Sequence, residues 1–208
     1  MAISLGSTTA DLDHLWTEIQ PEVVRRLMIA ATQEFSAIGY HATTTRGIAG
    51  RAGLSPAGVY VHFRSKEEVL YRISLIGHQH SLGGLLESID GVVDPTARLR
   101  AMVAHFSAWH ARNHVPARVI QYELGALSED HFAEIAVLRR EIETTFRSTL
   151  EYGVSHGVFD VPDIGGAALA LISLALDLPR WYRTGGPRTP EDIGALHAEL
   201  AERMFRRS

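Results

Sequence analysis

Apolar residues recur along this chain at helical spacing and almost nowhere in alternation. Val23, Leu27, Ala30, Ala31, Phe35 and Ile38 form one stripe, with Glu34 as its polar member. They predict a helix that opens near Pro21 and stops at Gly39. Val69, Leu70, Ile73 and Ile76 predict another, opened by the capping box Ser65-Lys-Glu-Glu68. Gly83, Gly84, Gly91 and Pro95 then read as a loosely built connection, so the domain boundary is drawn near residues 80 to 90. Amphipathic stretches follow over 95–113, 116–127, 129–156, 162–184 and 189–206. The third of these carries Phe132, Ile135, Leu138, Ile142, Phe146, Leu150 and Val154 on one face, behind a Ser128 cap and ahead of Gly157. Thr189, Pro190, Glu191 and Asp192 open the last with a cap, a first-turn proline and early acids. No repeat and no low-complexity tract interrupts the series. The predicted fold class is all-α, with a small N-terminal domain and a larger helical domain.

Residues 44–63, TTRGIAGRAGLSPAGVYVHF, read as a helix-turn-helix. Thr44 or Thr45 caps a first short helix. Ile48 points inward, and Ala49 is small enough for the two helices to cross closely. Gly53 supplies a left-handed turn, and Leu54 packs beneath it. Ser55 caps the second helix with Pro56 at its first position. Val59 and Phe63, four apart, face inward. In such a unit the second helix enters the DNA major groove. Its outer face would carry Pro56, Ala57, Gly58, Tyr60, Val61 and His62, the small residues permitting close approach. Tyr60 and Lys66 suit phosphate contacts, and Arg46 suits a phosphate or a base edge. The alternative reading is a plain helical hairpin within a helical core.

Composition first argues against nucleic acid and then stops doing so. The 208 residues carry 20 Lys+Arg against 24 Asp+Glu, a formal charge of −4. Along the chain, residues 1–20 hold Asp11, Asp13 and Glu18. Residues 21–80 hold seven basic against four acidic residues, a net +3, and the acidic excess lies beyond. This asymmetry fits two modules with different partners. Lys66 is the only lysine. The absence of cysteine excludes a disulfide scaffold, a zinc finger and a thiol enzyme. G-x-S-x-G, H-E-x-x-H, P-loop and G-x-G-x-x-G patterns are all missing, which agrees with a non-enzyme.

With these residues in view, 21–75 resembles the DNA-binding domain of the TetR family of bacterial transcriptional regulators. Phe35, Gly39, Tyr40, Thr43 and Thr44 match one family run. Ile48, Ala49, Ala52, Gly53, Leu54, Ser55, Tyr60, His62, Phe63, Ser65, Lys66, Glu67 and Leu70 match the next. The resemblance implies backbone contacts from Thr44, Tyr60 and Lys66, and base contacts from the neighbourhood of Arg46 and residues 56–62. The DNA-binding set is therefore Thr44, Thr45, Arg46, Ser55, Pro56, Ala57, Gly58, Tyr60, His62 and Lys66. Gly58 and Val61 depart from a polar recognition helix, leaving more of the readout to Tyr60, His62, Arg46 and DNA shape.

The resemblance also implies a ligand-binding and dimerisation domain over 81–208, after a flexible arm (1–20) and the DNA-binding domain (21–80). Dimerisation would use the last two helices, through Ala167, Ala168, Leu171, Ala175 and Leu178 on one and Ile193, Leu196, Leu200 and Met204 on the other. A small apolar effector would meet Phe106, Trp109, His110, Tyr122, Phe132, Phe146, Leu150 and Trp181. Residues 116–182 are further similar to family members that regulate lipid or steroid breakdown in response to acyl-CoA thioesters. Arg118, Arg139 and Arg140 would then meet CoA phosphates, or else remain solvated helix charges paired along their helices. The expectation is a homodimeric repressor released from a palindromic double-stranded operator, or a TetR-like efflux regulator with another hydrophobic ligand. A helical scaffold without DNA binding is the remaining reading.

No cofactor and no metal are expected. His110 and His114 share a helix face near His105, yet no acid or cysteine completes a ligand spacing. The start of the chain lacks the charged and apolar regions of a signal peptide. Ala167–Leu178, the longest greasy stretch, is too short and too polar to cross a bilayer. No membrane association and a cytoplasmic location are expected.

Overall fold

In a computed structural model of the chain, residues 15–206 are described. The order is α1 (Glu22–Ile38), α2 (Thr45–Arg51), α3 (Pro56–Tyr60), α4 (Lys66–Ile89), α5 (Pro95–Arg112), α6 (His114–Glu123), α7 (Glu129–Ser155), α8 (Ile164–Leu176), α9 (Leu178–Trp181) and α10 (Pro190–Phe205). A 3-10 turn, Leu124–Ala126, separates α6 from α7. Among the described residues there is no strand, only a single antiparallel bridge between Phe159 and Arg206. The all-α reading holds.

The caps do what their side-chain chemistry predicts. Asp94, Asp163 and Thr189 each accept an amide of the first turn they open. Thr189 and Asp192 close a reciprocal capping box. At α4 the box is shared differently. Ser65 Oγ accepts the Glu68 amide at 3.0 Å, while the Glu68 carboxylate accepts the amide of Arg64 rather than that of Ser65.

Two expectations about helix continuity are corrected. The glycines at 83 and 84 do not loosen the chain, because α4 runs unbroken from Lys66 to Ile89. An added Cβ at Gly84 would lie 2.4 Å from His105 Nε2, so this glycine admits a neighbouring ring. Gly77 likewise admits Ile120, whose Cδ1 would stand 2.3 Å from an added Cβ. The stretch 162–184 is not one helix. It divides at Asp177, where Pro179 in the first turn of α9 removes an amide donor.

The helices gather into two compact units that do not meet at one boundary in sequence. The first comprises the chain through Gly77 together with Val115–Ile135, and the second His78–His114 with Ala136–Ser208. The division drawn near residue 80 therefore assigns Val115–Ile135 differently. Residues 1–14 of the expected arm lie outside the described residues. Leu15 and Trp16, also assigned to that arm, are buried.

In the second unit α5 and α10 pack along their lengths. They approach so closely that an added Cβ on Gly194 would lie 2.5 Å from the carbonyl oxygen of Ala104. Phe106 and Phe146 meet edge to face at 5.2 Å within this core. Ile164–Trp181 has the length and mean hydropathy, 1.3 over 18 residues, of a membrane span. Here it is split between α8 and α9, and it lays Ala168, Leu171, Ala175 and Leu178 into the core.

Candidate nucleic-acid interface

The first unit builds its site on α2 and α3. Thr44 caps α2 by accepting the Gly47 amide at 3.0 Å, and Ser55 caps α3 by accepting the Gly58 amide at 3.3 Å with Pro56 next in line. Gly53 turns the chain between them at φ +70°, a conformation that disfavours any residue with a Cβ. The Leu54 amide donates to Ala49 O at 2.9 Å and closes the turn. Ile48, Ala49, Val59 and Phe63 are buried. That burial fixes which side chains remain outside.

Thr44, Arg46, Ser55, Pro56, Ala57 and Tyr60 are exposed, and Thr45, Gly58 and His62 are half-buried. Thr45 Oγ1 and Tyr60 OH stand 3.2 Å apart, so α2 and α3 present their polar ends as one surface. Behind that surface Arg51 donates to Glu34 at 2.6 Å and ties α2 to α1. Val61, beside Tyr60, is 77% exposed.

Lys66 is placed differently from a free phosphate contact. Its ammonium donates to Tyr40 O at 2.6 Å, Thr43 O at 2.7 Å and His41 O at 3.5 Å, and it sits 4.2 Å over the Tyr40 ring. All three protons are directed at carbonyls of the α1–α2 loop. Burial pushes the Lys66 pKa down, with the Glu123 carboxylate opposing. Glu123, at the last residue of α6, accepts the Tyr40 amide at 3.1 Å. Sequence reading missed Glu123. Its one signal was an acid at a helix C-terminus, where the dipole disfavours negative charge.

The side chains expected around an effector do not form one group. Phe106, Trp109, His110, Phe146 and Leu150 lie in the second unit and are buried, Leu150 completely. Tyr122 and Phe132 belong to the first unit and are exposed, at 57% and 46%. Trp181 is 49% exposed at the end of α9. Phe132 opens the apolar stripe expected on α7, but it lies at the exposed start of that helix while Ile135 is buried. The buried set carries polar groups. His110 Nδ1 lies 2.8 Å from Phe106 O, and His197 Nδ1 lies 2.9 Å from Ser107 Oγ. Burial lowers the His110 pKa to about 4, partly opposed by its bond to Phe106 O. Ser81 Oγ, Thr149 Oγ1 and His105 Nε2 are buried with no hydrogen-bond partner among the described residues. Those residues hold no cluster of three metal-ligating side chains. Arg139 and Arg140 are exposed, and Arg118 lines a cleft of about 290 Å³ in the first unit with Phe35, Gly39, Tyr122 and Glu123.

The expected dimer face is corrected at five of its nine members. Ala168, Leu171, Ala175, Leu178 and Ile193 are buried in the chain's own core, so they have no surface to offer a partner. Leu200 and Met204 are exposed at 41% and 55%, and Ala167 and Leu196 are half-buried. Leu169, at 53% exposure, and Trp181 belong to the outer face that the stripe missed.

Comparison with known proteins places this geometry. The family model for bacterial regulatory proteins of the tetR family matches residues 27–73, and that for the tetracyclin repressor-like C-terminal domain matches 92–205. The HTH-type transcriptional repressor KstR2 of Rhodococcus jostii is 33% identical, over 84% of this chain and 86% of its own. A tetR-family regulatory protein from Rhodococcus RHA1 superposes at a TM-score of 0.86 with 40% identity, over 91% of this chain and all of its own. AibR, in complex with isovaleryl coenzyme A and operator DNA, reaches 0.78 over 86% of this chain and 97% of its own. At 21% identity, that likeness is one of fold. The matched models span both the α2–α3 unit and the helices that follow it, and the chain belongs to the tetR family of bacterial transcriptional regulators.

Proposed function

We propose that this chain is a homodimeric repressor whose α2 and α3 read a palindromic operator and whose second unit answers to a small apolar effector. The observation that carries the reading is the capped α2–α3 unit, with Thr45 and Tyr60 joined on its outer face. Thr44, Arg46 and Tyr60 would meet the phosphates, and Arg46, Tyr60 and His62 the bases. The small residues at 56–58 would let α3 sit deep in the major groove. Ser55 and Thr44 hold the first-turn amides in place, where some can also face phosphate.

Two copies would join through the outer faces of α8–α10, using Leu169, Trp181, Leu200 and Met204. A palindromic operator would require the two recognition helices to lie about one helical turn apart. The effector would enter the apolar interior around Phe106, Phe146 and Leu150, and Ser81, Thr149 and His105 supply polar atoms for its functional groups. A steroid-derived or acyl thioester is the class favoured. The 33% identical relative is the repressor KstR2, and the Mycobacterium tuberculosis protein of that name is described as a ketosteroid transcriptional regulator. A coupling of about 1–3 kcal/mol between effector and DNA is enough for switching.

The test is a gel shift of the purified chain on the promoter of its own gene at graded salt. Native mass spectrometry against acyl-CoAs and steroids follows. Specific retardation that a bound thioester reverses is expected. Absence of retardation would remove the repressor reading, and retardation untouched by the whole panel would remove only the lipid effector.

A further inference from the structure

The backbone of Tyr40 is held by charge on both sides of its Cα. Its N–H donates to the Glu123 carboxylate at 3.1 Å, and its carbonyl accepts the Lys66 ammonium at 2.6 Å. The same ammonium reaches Thr43 O at 2.7 Å, one residue before the cap of α2, and lies over the Tyr40 ring. Thr43 is buried, and its own hydroxyl donates to Gly39 O at 2.8 Å. All these residues belong to the first compact unit. Both charges stand at the unfavourable end of their helices. Lys66 opens α4, where the dipole repels a cation, and Glu123 closes α6, where it repels an anion. The charge-assisted bonds to the two peptide groups that flank the Tyr40 Cα compensate both placements.

We propose that Lys66 and Glu123 are positioning residues for DNA reading. Together they clamp the Tyr40–Thr43 loop, so that the C-terminal end of α6 sets where Thr44 and Arg46 are presented, and Lys66 acts through this loop rather than on a phosphate. Displacement of α6 would release the Tyr40 amide and loosen the cap of α2. This rests on the reading of α2 and α3 as the DNA-contacting pair.

The experiment compares wild type, Lys66→Met, Lys66→Arg, Glu123→Ala and the double variant Lys66→Met/Glu123→Ala. Each is measured on a duplex selected by the wild-type chain from a random pool and on an unselected duplex, at several salt concentrations. The clamp predicts a loss of about tenfold on the selected duplex for Lys66→Met and for Glu123→Ala, with little change on the unselected one. It predicts an unchanged slope of log affinity against log salt. A lost phosphate contact would instead flatten that slope by about 0.9 and weaken both duplexes alike. Lys66→Arg rescues a phosphate contact but not the clamp, because a planar guanidinium cannot aim its donors at three carbonyls beneath one ring. The double variant should be no weaker than the weaker single one, since both act on the backbone of one residue, Tyr40.

Amide exchange of Tyr40 and Gly47 in Glu123→Ala reads the loop directly, and both should exchange faster than in wild type. A flattened slope in Lys66→Met, rescue by Lys66→Arg, or wild-type binding and exchange in Glu123→Ala would each overturn the clamp. A wild-type chain that selects no duplex overturns the DNA reading with it.

Discussion

Tyr60 OH and Thr45 Oγ1 lie 3.2 Å apart, and this contact joins the exposed ends of two short helices that otherwise meet only through their buried faces. Tyr60 is 56% exposed, so little of its ring stabilises the fold. Tyr60→Ala should leave the melting temperature within a degree or two of wild type, since exposed substitutions shift stability by about 0.5 kcal/mol or less. It should weaken the selected duplex by tenfold or more in a gel shift. Tyr60→Phe keeps the ring but breaks the link to Thr45, and it should fall between the two.

Gly194 lies where α10 crosses α5, with the Ala104 carbonyl 2.5 Å from the place a Cβ would occupy. Backbone cannot yield there as a side-chain tip can. Gly194→Ala should destabilise the chain by about 1–3 kcal/mol through overpacking. That is a drop of roughly 2–4 °C per kcal/mol for a chain of this size, read by thermal denaturation. Gly77→Ala meets only the Ile120 methyl end and should cost less.

His110 gives the fold a pH dependence. Its folded pKa of about 4 lies below that of an exposed histidine, because burial disfavours the imidazolium. Between these values the unfolded chain binds the extra proton, so stability is full above about pH 6.5 and declines as pH falls toward 4. Burial lowers His105 and His197 in the same sense. Denaturant titration from pH 7 to 4.5 should show a loss on the order of 2–3 kcal/mol from His110, and His110→Gln should flatten that dependence.

Leu200 and Met204 separate the two apolar faces of α10. Leu200→Asp with Met204→Asp should yield a folded monomer by sedimentation equilibrium, with operator affinity falling by two to four orders of magnitude as bivalence is lost. Ile193→Asp, three residues into the same helix but inside the core, should instead abolish folding.

Local chemistry was the legible part of the sequence. Thr44, Ser55, Asp192 and Gly53 each make their structure through bonds to residues within a few positions, and a reader of the chain can see both partners. What could not be read depends on distant neighbours. Gly84 looks like a breaker until His105 is known to lie against it. Ala168 and Leu171 look like a dimer face because a stripe facing a partner and one facing the core have the same composition. The carbonyls of Tyr40 and Thr43 that accept from Lys66 lie 26 and 23 residues before it, where spacing along the chain gives no hint of them. Among the effector candidates, Phe106 and Phe146 are buried in the second unit's core. Tyr122, Phe132 and Trp181 lie on helices that the family likeness sets around a pocket, yet their side chains are exposed.

The Tyr40 amide and the Glu123 carboxylate are 83 residues apart in the chain. On the ribosome, at about 5–20 residues per second, that interval is roughly 4–17 s. For that time the loop ahead of α2 exists without its acid partner, and Val115–Ile135 is still missing from the first compact unit. The first compact unit is therefore incomplete when its N-terminal segment emerges. The Tyr40–Glu123 bond can form only after α4 and α5 have been made, so the loop ahead of α2 waits on helices encoded well downstream of it.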